Sequence, residues 1–98
     1  YFSSGGAFYG EWGSSGINDG QFDRPTGVAT AADGTVYVAD SGNDRIQHFS
    51  ANGSFMGKWG THGADSGQFD RPYGVTVISN GTVYVADFSN NRVQIFGT

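Results

Sequence analysis

The sequence has no cysteine, which excludes a disulfide framework and any thiolate-bound metal. It has no leucine, one glutamate (Glu11), and no segment whose apolar residues recur with a 3.6-residue period, so nothing in it reads as an amphipathic helix. No stretch approaches the ~18 consecutive apolar residues of a membrane-spanning helix. The opening residues, Tyr1-Phe2-Ser3-Ser4-Gly5-Gly6, have neither the basic region nor the apolar core of a secretion signal. The chain is therefore expected to be soluble and to carry no targeting signal. Positive charge is scarce too. Five basic residues, Arg24, Arg45, Lys58, Arg71 and Arg92, stand against nine acidic ones, for a net charge of −4. That balance argues against nucleic acid and against anionic membranes as partners, since both reward clustered Lys and Arg.

What is present is glycine and aromatic surface: 17 Gly, with two Trp, five Tyr and eight Phe, in 98 residues. Glycine at this density would by itself fit a flexible linker, but a disordered chain does not carry so many rings. Glycine for tight turns and aromatics for sheet faces fit many short strands. The chain reads as all-β.

It also reads as a repeat. Trp12-Gly13 recurs as Trp59-Gly60, Gly20-Gln21-Phe22-Asp23-Arg24-Pro25 as Gly67-Gln68-Phe69-Asp70-Arg71-Pro72, and the run 34–40 as 81–87, each shifted by 47 residues. Laying residues 1–51 on 48–98 gives 27 identities in 51 positions without a gap. Each unit predicts four short strands. In the first unit they fall at 27–31, 35–40, 45–49 and 55–59, with Asp33-Gly34 and Asn52-Gly53 as tight turns where Gly accepts positive φ at no steric cost. A loop at 60–71 leads into the second unit. The run Val36-Tyr37-Val38-Ala39 is apolar throughout, which predicts a strand covered on both faces. Polarity rises toward the fourth strand, as in a propeller blade, a four-stranded sheet packed between copies of itself.

The residues that carry this pattern resemble the NHL repeat. In the first copy they are Gly20, Phe22, Pro25, Gly27, Val28, Asp33, Gly34, Tyr37, Val38, Ala39, Asp40, Asn43, Arg45 and Ile46. The second copy matches at Gly67, Phe69, Pro72, Gly74, Val75, Asn80, Gly81, Tyr84, Val85, Ala86, Asp87, Asn90 or Asn91, Arg92 and Val93. The resemblance implies antiparallel blades of the kind that usually close, six to a ring, in one chain. Here there are two blades. Two stacked sheets leave two aromatic-rich faces uncovered, and patches of that kind mark interfaces. Three copies of the chain would close a six-bladed propeller as a homotrimer through head-to-tail contacts. The registers add detail. Residues 1–13 contain a fourth, outer strand at 8–12, residues 20–59 a complete blade, and residues 67–98 three inner strands, so the N-terminal strand of one chain is expected to complete the last sheet of the next. Two blades cut within a blade, with no initiating methionine, read as an engineered or excised fragment. An identity of 27 in 51 fits a natural, ancestral or selected sequence better than an idealised design.

Strand alternation puts the loops after the second and fourth strands on one face of the blades, and much of the variation between the copies falls there. If the chain binds a glycan or a protein, the candidates are His62, Tyr73 and Phe88 with Thr26 and Ser41. Tyr73 and Phe88 stand where the other copy has Thr26 and Ser41, so the fold does not require an aromatic at either position, although plain packing also accommodates one. Asp40 with Arg45, and Asp87 with Arg92, recur at one spacing. Charge clusters on a ligand face are one reading, and ion pairs or capping carboxylates that hold the blades suit their recurrence better. The pairs Asp23-Arg24 and Asp70-Arg71 read the same way. Trp12, Trp59, Phe22 and Phe69 read as core between blades rather than sugar-stacking platforms.

Catalysis finds no support. His48 and His62 do not recur and no Ser–His–Asp spacing accompanies them; His48 reads as a spacer on a wet strand face. No His and carboxylate set is clustered in the sequence, so no metal and no cofactor are expected. Some propellers that this chain resembles are lyases or lactonases with a channel metal, but none of their ligand sets matches here. Others bind RNA through a basic face, whereas three copies of this chain would carry about −12, three times −4. The expectation is thus a self-assembling scaffold that is not an enzyme, with a ligand-binding module as the alternative.

Overall fold

Period-2 apolar runs bounded by Gly-containing turns fold as antiparallel strands. The computed structural model of the chain, which describes residues 14–97, has nine. β1 (Ser14–Ser15) and β2 (Gln21–Phe22) form a short parallel pair. β3 (Pro25–Thr30), β4 (Val36–Asp40), β5 (Arg45–Phe49) and β6 (Phe55–Trp59) form a four-stranded antiparallel sheet in sequence order. β7 (Pro72–Val77), β8 (Val83–Asp87) and β9 (Arg92–Phe96) form a three-stranded sheet in the same order. β7, β8 and β9 are the 47-residue images of β3, β4 and β5, and the pairing registers match as well. These are two blade-like sheets. The outer strand expected at 8–12, its transfer to a neighbouring chain and the packing of Trp12 lie outside the described residues. Among the described residues no helix is long and apolar enough to cross a membrane.

The first strand of the first unit runs over Pro25–Thr30 rather than 27–31, and two further local features depart from the sequence reading. The loop expected at 41–44 is a 3₁₀ turn, Ser41–Asn43, ended by Asp44 in the left-handed region at φ 54°; Phe88–Asn90 and Asn91 repeat it. Each first strand also carries a bulge. Pro25 opposes Asp40 and Gly27 opposes Ala39, so Thr26 has no cross-strand partner, and Tyr73 stands in the same place on β7. A bulge re-aims the side chain it carries, and here it carries one of the positions at which the copies differ, Thr26 against Tyr73.

The core lies between the sheets. From the first sheet Ala39 and Ile46 enter it, from the second Val83 and Val85, and from the loop entering β7 Phe69, with Tyr37, Trp59, Val75, Val77 and Phe96 packed around them. One face of the first sheet therefore meets the opposite face of the second, because Ile46 lies beside Trp59 and Ala39 in register while Val85 and Val83 alternate with the residues on the far side of β8. The first strands approach backbone to backbone. A Cβ on Gly27 would lie 2.8 Å from the Tyr73 carbonyl oxygen, which is why this position has none. Beside it the Thr26 hydroxyl donates to that same carbonyl at 2.7 Å.

Candidate functional site

The long loops are held to their blades by a buried polar hub. Asp40 is fully buried at the end of β4. Its Oδ1 accepts from the Asp23 backbone N–H at 2.7 Å, and its Oδ2 accepts from Arg45 Nε at 2.7 Å, Asn43 Nδ2 at 3.0 Å and Gln47 Nε2 at 3.2 Å. Arg45 spends its remaining donors on backbone carbonyls of the loop that precedes β3, those of Ile17, Asn18 and Gln21. A buried charge is tolerated only when paired and hydrogen-bonded, and these carbonyls complete the pairing. The second copy reproduces the hub around Asp87, with Asp70 N–H, Asn90, Arg92 and Gln94 as donors and the carbonyls of Ala64, Asp65 and Gln68 as acceptors. Burial alone would raise the Asp87 pKa. Asn90, the Asp70 N–H and Arg92 outweigh it and hold the carboxyl below its usual value. Asn43, Gln47 and their images are hub members whose polar character alone did not single them out.

The neighbouring pairs Asp23–Arg24 and Asp70–Arg71 behave differently from the expectation. Arg24 and Arg71 sit at φ 52° and 56° and turn outward. Their contacts to the adjacent carboxylates, 3.3 and 3.7 Å, are on the surface. Such exposed pairs contribute little.

The hubs fix a rim at the ends of β3, β4, β7 and β8, and on it lie the variable residues. Tyr73 and Phe88 are 57% and 63% exposed, with ring centroids 5.9 Å apart and planes tilted by 42°. Their counterparts differ: Thr26 is tied to the Tyr73 carbonyl and Ser41 is buried. The rim therefore presents one aromatic pair, from the second copy. His62, in the loop entering β7, places Nδ1 3.1 Å from Asp44 Oδ2. Asp70 lies beside them, and one ligand atom from each of the three falls within 4.8 Å of the others. The sequence clusters no such set; the fold brings it together from two loops on either side of the blade junction. The signal was available as two coincident differences, since the copies have Asp44 against Asn91 and His62 against Ser15.

Phe69 is in the core and Trp59 packs on it; Phe22 is half-buried on the opposite side of the first sheet, where its ring lies 5.7 Å from that of Phe49. His48 is not on a wet face. Its ring stacks on Tyr37 at 5.5 Å and meets Trp59 at 5.9 Å, and burial pushes its pKa below the usual value.

The far side of the second sheet is open. Gly74, Thr76, Tyr84, Ala86 and Val93 surround a concavity of about 300 Å³. Gly74, Tyr84, Ala86 and Val93 among them are the images of Gly27, Tyr37, Ala39 and Ile46, which the second sheet covers. On the opposite side of the pair, Val28 is 66% exposed, whereas its image Val75 packs on the core.

No curated protein matches the chain. The model of the NHL repeat matches it twice, over residues 22–49 and 69–96, one segment on each sheet and together more than half of the chain. The blades described above are those two repeats, and the chain belongs to the NHL-repeat family.

Proposed function

We propose that the chain is a binding scaffold that assembles with copies of itself into a closed propeller, most simply six blades from three chains. One observation carries this reading: the open face of the second sheet is the 47-residue image of the face already buried between the two sheets. The occupant that fits it is the side of the first sheet that exposes Val28, because that side is the image of what fills the existing junction. A contact between different patches of identical chains is head-to-tail and closes when the rotation per chain divides the circle. Among the described residues β9 also lacks a fourth strand, the place β6 takes beside β5; the strand assigned to it is residues 8–12 of the next chain. The reading gives the chain a binding role rather than a catalytic one. Light scattering on the purified chain is expected to give about three times 10.3 kDa, and a folded monomer would overturn the assembly.

A second reading rests on the exposed Tyr73–Phe88 pair. A rim aromatic pair suits stacking on a glycan or docking of a protein side chain. Tyr73→Thr and Phe88→Ser install the residues of the other copy, so they are expected to keep the fold and to lose ligand on a glycan or peptide array.

A further inference from the structure

We infer that Asp44, His62 and Asp70 form a site for one divalent transition-metal ion of the zinc class, bridging the two blades on the long-loop face. Zinc takes imidazole nitrogen and carboxylate oxygen at about 2.0–2.2 Å, so tetrahedral ligand atoms stand about 3.4 Å apart. His62 Nδ1 and Asp44 Oδ2 already stand 3.1 Å apart, and the Asp70 carboxylate closes a triangle no wider than 4.8 Å.

The carboxylate of Asp44 and the backbone of Asp70 are placed by contacts that do not use the proposed ligand atoms. Asp44 Oδ1 accepts from the Arg71 backbone N–H at 2.7 Å, which leaves Oδ2 directed at His62. The Asp70 backbone N–H donates to Asp87 Oδ1 at 2.8 Å, so the hub of the second blade fixes the residue. The competing cation is Arg71, which donates through Nε to Ser89 Oγ at 2.8 Å and pairs with Asp70 only loosely, at 3.7 Å on the surface. His62 is exposed, which gives the ion an entry path and leaves a coordination position for water. One nitrogen with two oxygens and an open position suits zinc or cobalt. Calcium and magnesium prefer six or more ligands, all oxygen.

The repeat supports a dedicated site. The positions 47 residues away keep the third ligand, as Asp23, but have Ser15 for His62 and Asn91 for Asp44. His62 and Asp44 are thus present together at this junction and replaced together at the corresponding positions.

Titration calorimetry of zinc chloride into the full chain, in chelator-free buffer near neutral pH, is expected to show one ion per chain. His62→Ser and Asp44→Asn each install the residue of the other copy, and each is expected to weaken binding at least tenfold. His48→Ile removes the remaining imidazole and is expected to leave binding unchanged. Cobalt in place of zinc should give visible absorption of a low-coordinate site that His62→Ser abolishes. Absence of binding to the parent chain, binding that survives His62→Ser, or equal loss in His48→Ile would each overturn the site. Circular dichroism of the exposed-site variant His62→Ser separates loss of the ion from loss of the fold.

Discussion

Ile46 and Val93 occupy one register 47 residues apart, and the first is sealed at 0% exposure while the second stands 62% open. The difference is entirely one of neighbours: Phe69, Val83 and Val85 cover Ile46, and no described residue does the same for Val93. The two positions therefore separate folding from assembly. Ile46→Ala is expected to destabilise the chain by about 2–5 kcal/mol, the cost of a large-to-small change in a packed core, as measured by urea unfolding. Val93→Asp is expected to leave the secondary structure intact and to reduce the mass in light scattering to that of one chain. An assembly that tolerates Val93→Asp would place the contact elsewhere.

The hubs predict an asymmetry between copies. Asp40 and Asp87 are both fully buried, but the Arg45 side chain is 8% exposed and that of Arg92 29%. Removing a buried carboxylate strands its arginine, at a cost of about 3–5 kcal/mol when the pair is fully desolvated. Asp40→Ala is expected to fall in that range. Asp87→Ala is expected to cost less in a monomeric state, because water reaches Arg92. Denaturant midpoints of the two variants check the order.

Acid sensitivity should trace first to His48. Burial among Tyr37 and Trp59 lowers its pKa in the folded state. The unfolded chain then binds the proton more readily, so the stability contributed by keeping His48 neutral is complete above its ordinary pKa of about 6.5 and declines as the pH falls below it. Asp87 acts in a lower window. Its depressed pKa contributes stability above the ordinary carboxylate range that is lost as the pH falls through the folded value. His48→Ile, which installs the counterpart Ile95, is expected to flatten the stability profile between neutral pH and pH 5 while leaving the later acid transition. Thermal melts across that range would show it.

Much of this fold could be read from local pattern. Glycine turns and apolar runs locate β4 and β5 to within a residue, and the 47-residue shift carries them onto β8 and β9. What escaped depends on residues distant in sequence. Gln47 and Arg45 look like the wet side of a strand, yet both are buried, because carbonyls at 17–21 reach over to receive them. His48 looks like a spacer until the stack formed by Tyr37 and Trp59 is assembled around it. The bulges at Thr26 and Tyr73 shift register by one residue, which no apolar period reveals. Asp44 and His62 are 18 residues apart and meet only where the two sheets do.

That last meeting supplies a test of both proposals at once. Within the chain, Asp44 follows β4, while His62 and Asp70 lie in the loop entering β7. Shifted by 47, the corresponding positions are Asn91 after β8, Ser15 in β1 and Asp23 just before β3. If chains stack head to tail as the existing junction does, Asn91 of one copy faces Ser15 and Asp23 of the next. The double variant Ser15→His, Asn91→Asp would then complete a second triad between copies, and calorimetry is expected to report two zinc ions per chain instead of one. Adding His62→Ser removes the internal site, leaving one ion per chain whose binding should vanish when Val93→Asp separates the copies. One ion per chain in the double variant would refute the proposed contact while leaving the internal site standing. No ion in the parent chain would refute the internal site, whatever the mass of the assembly.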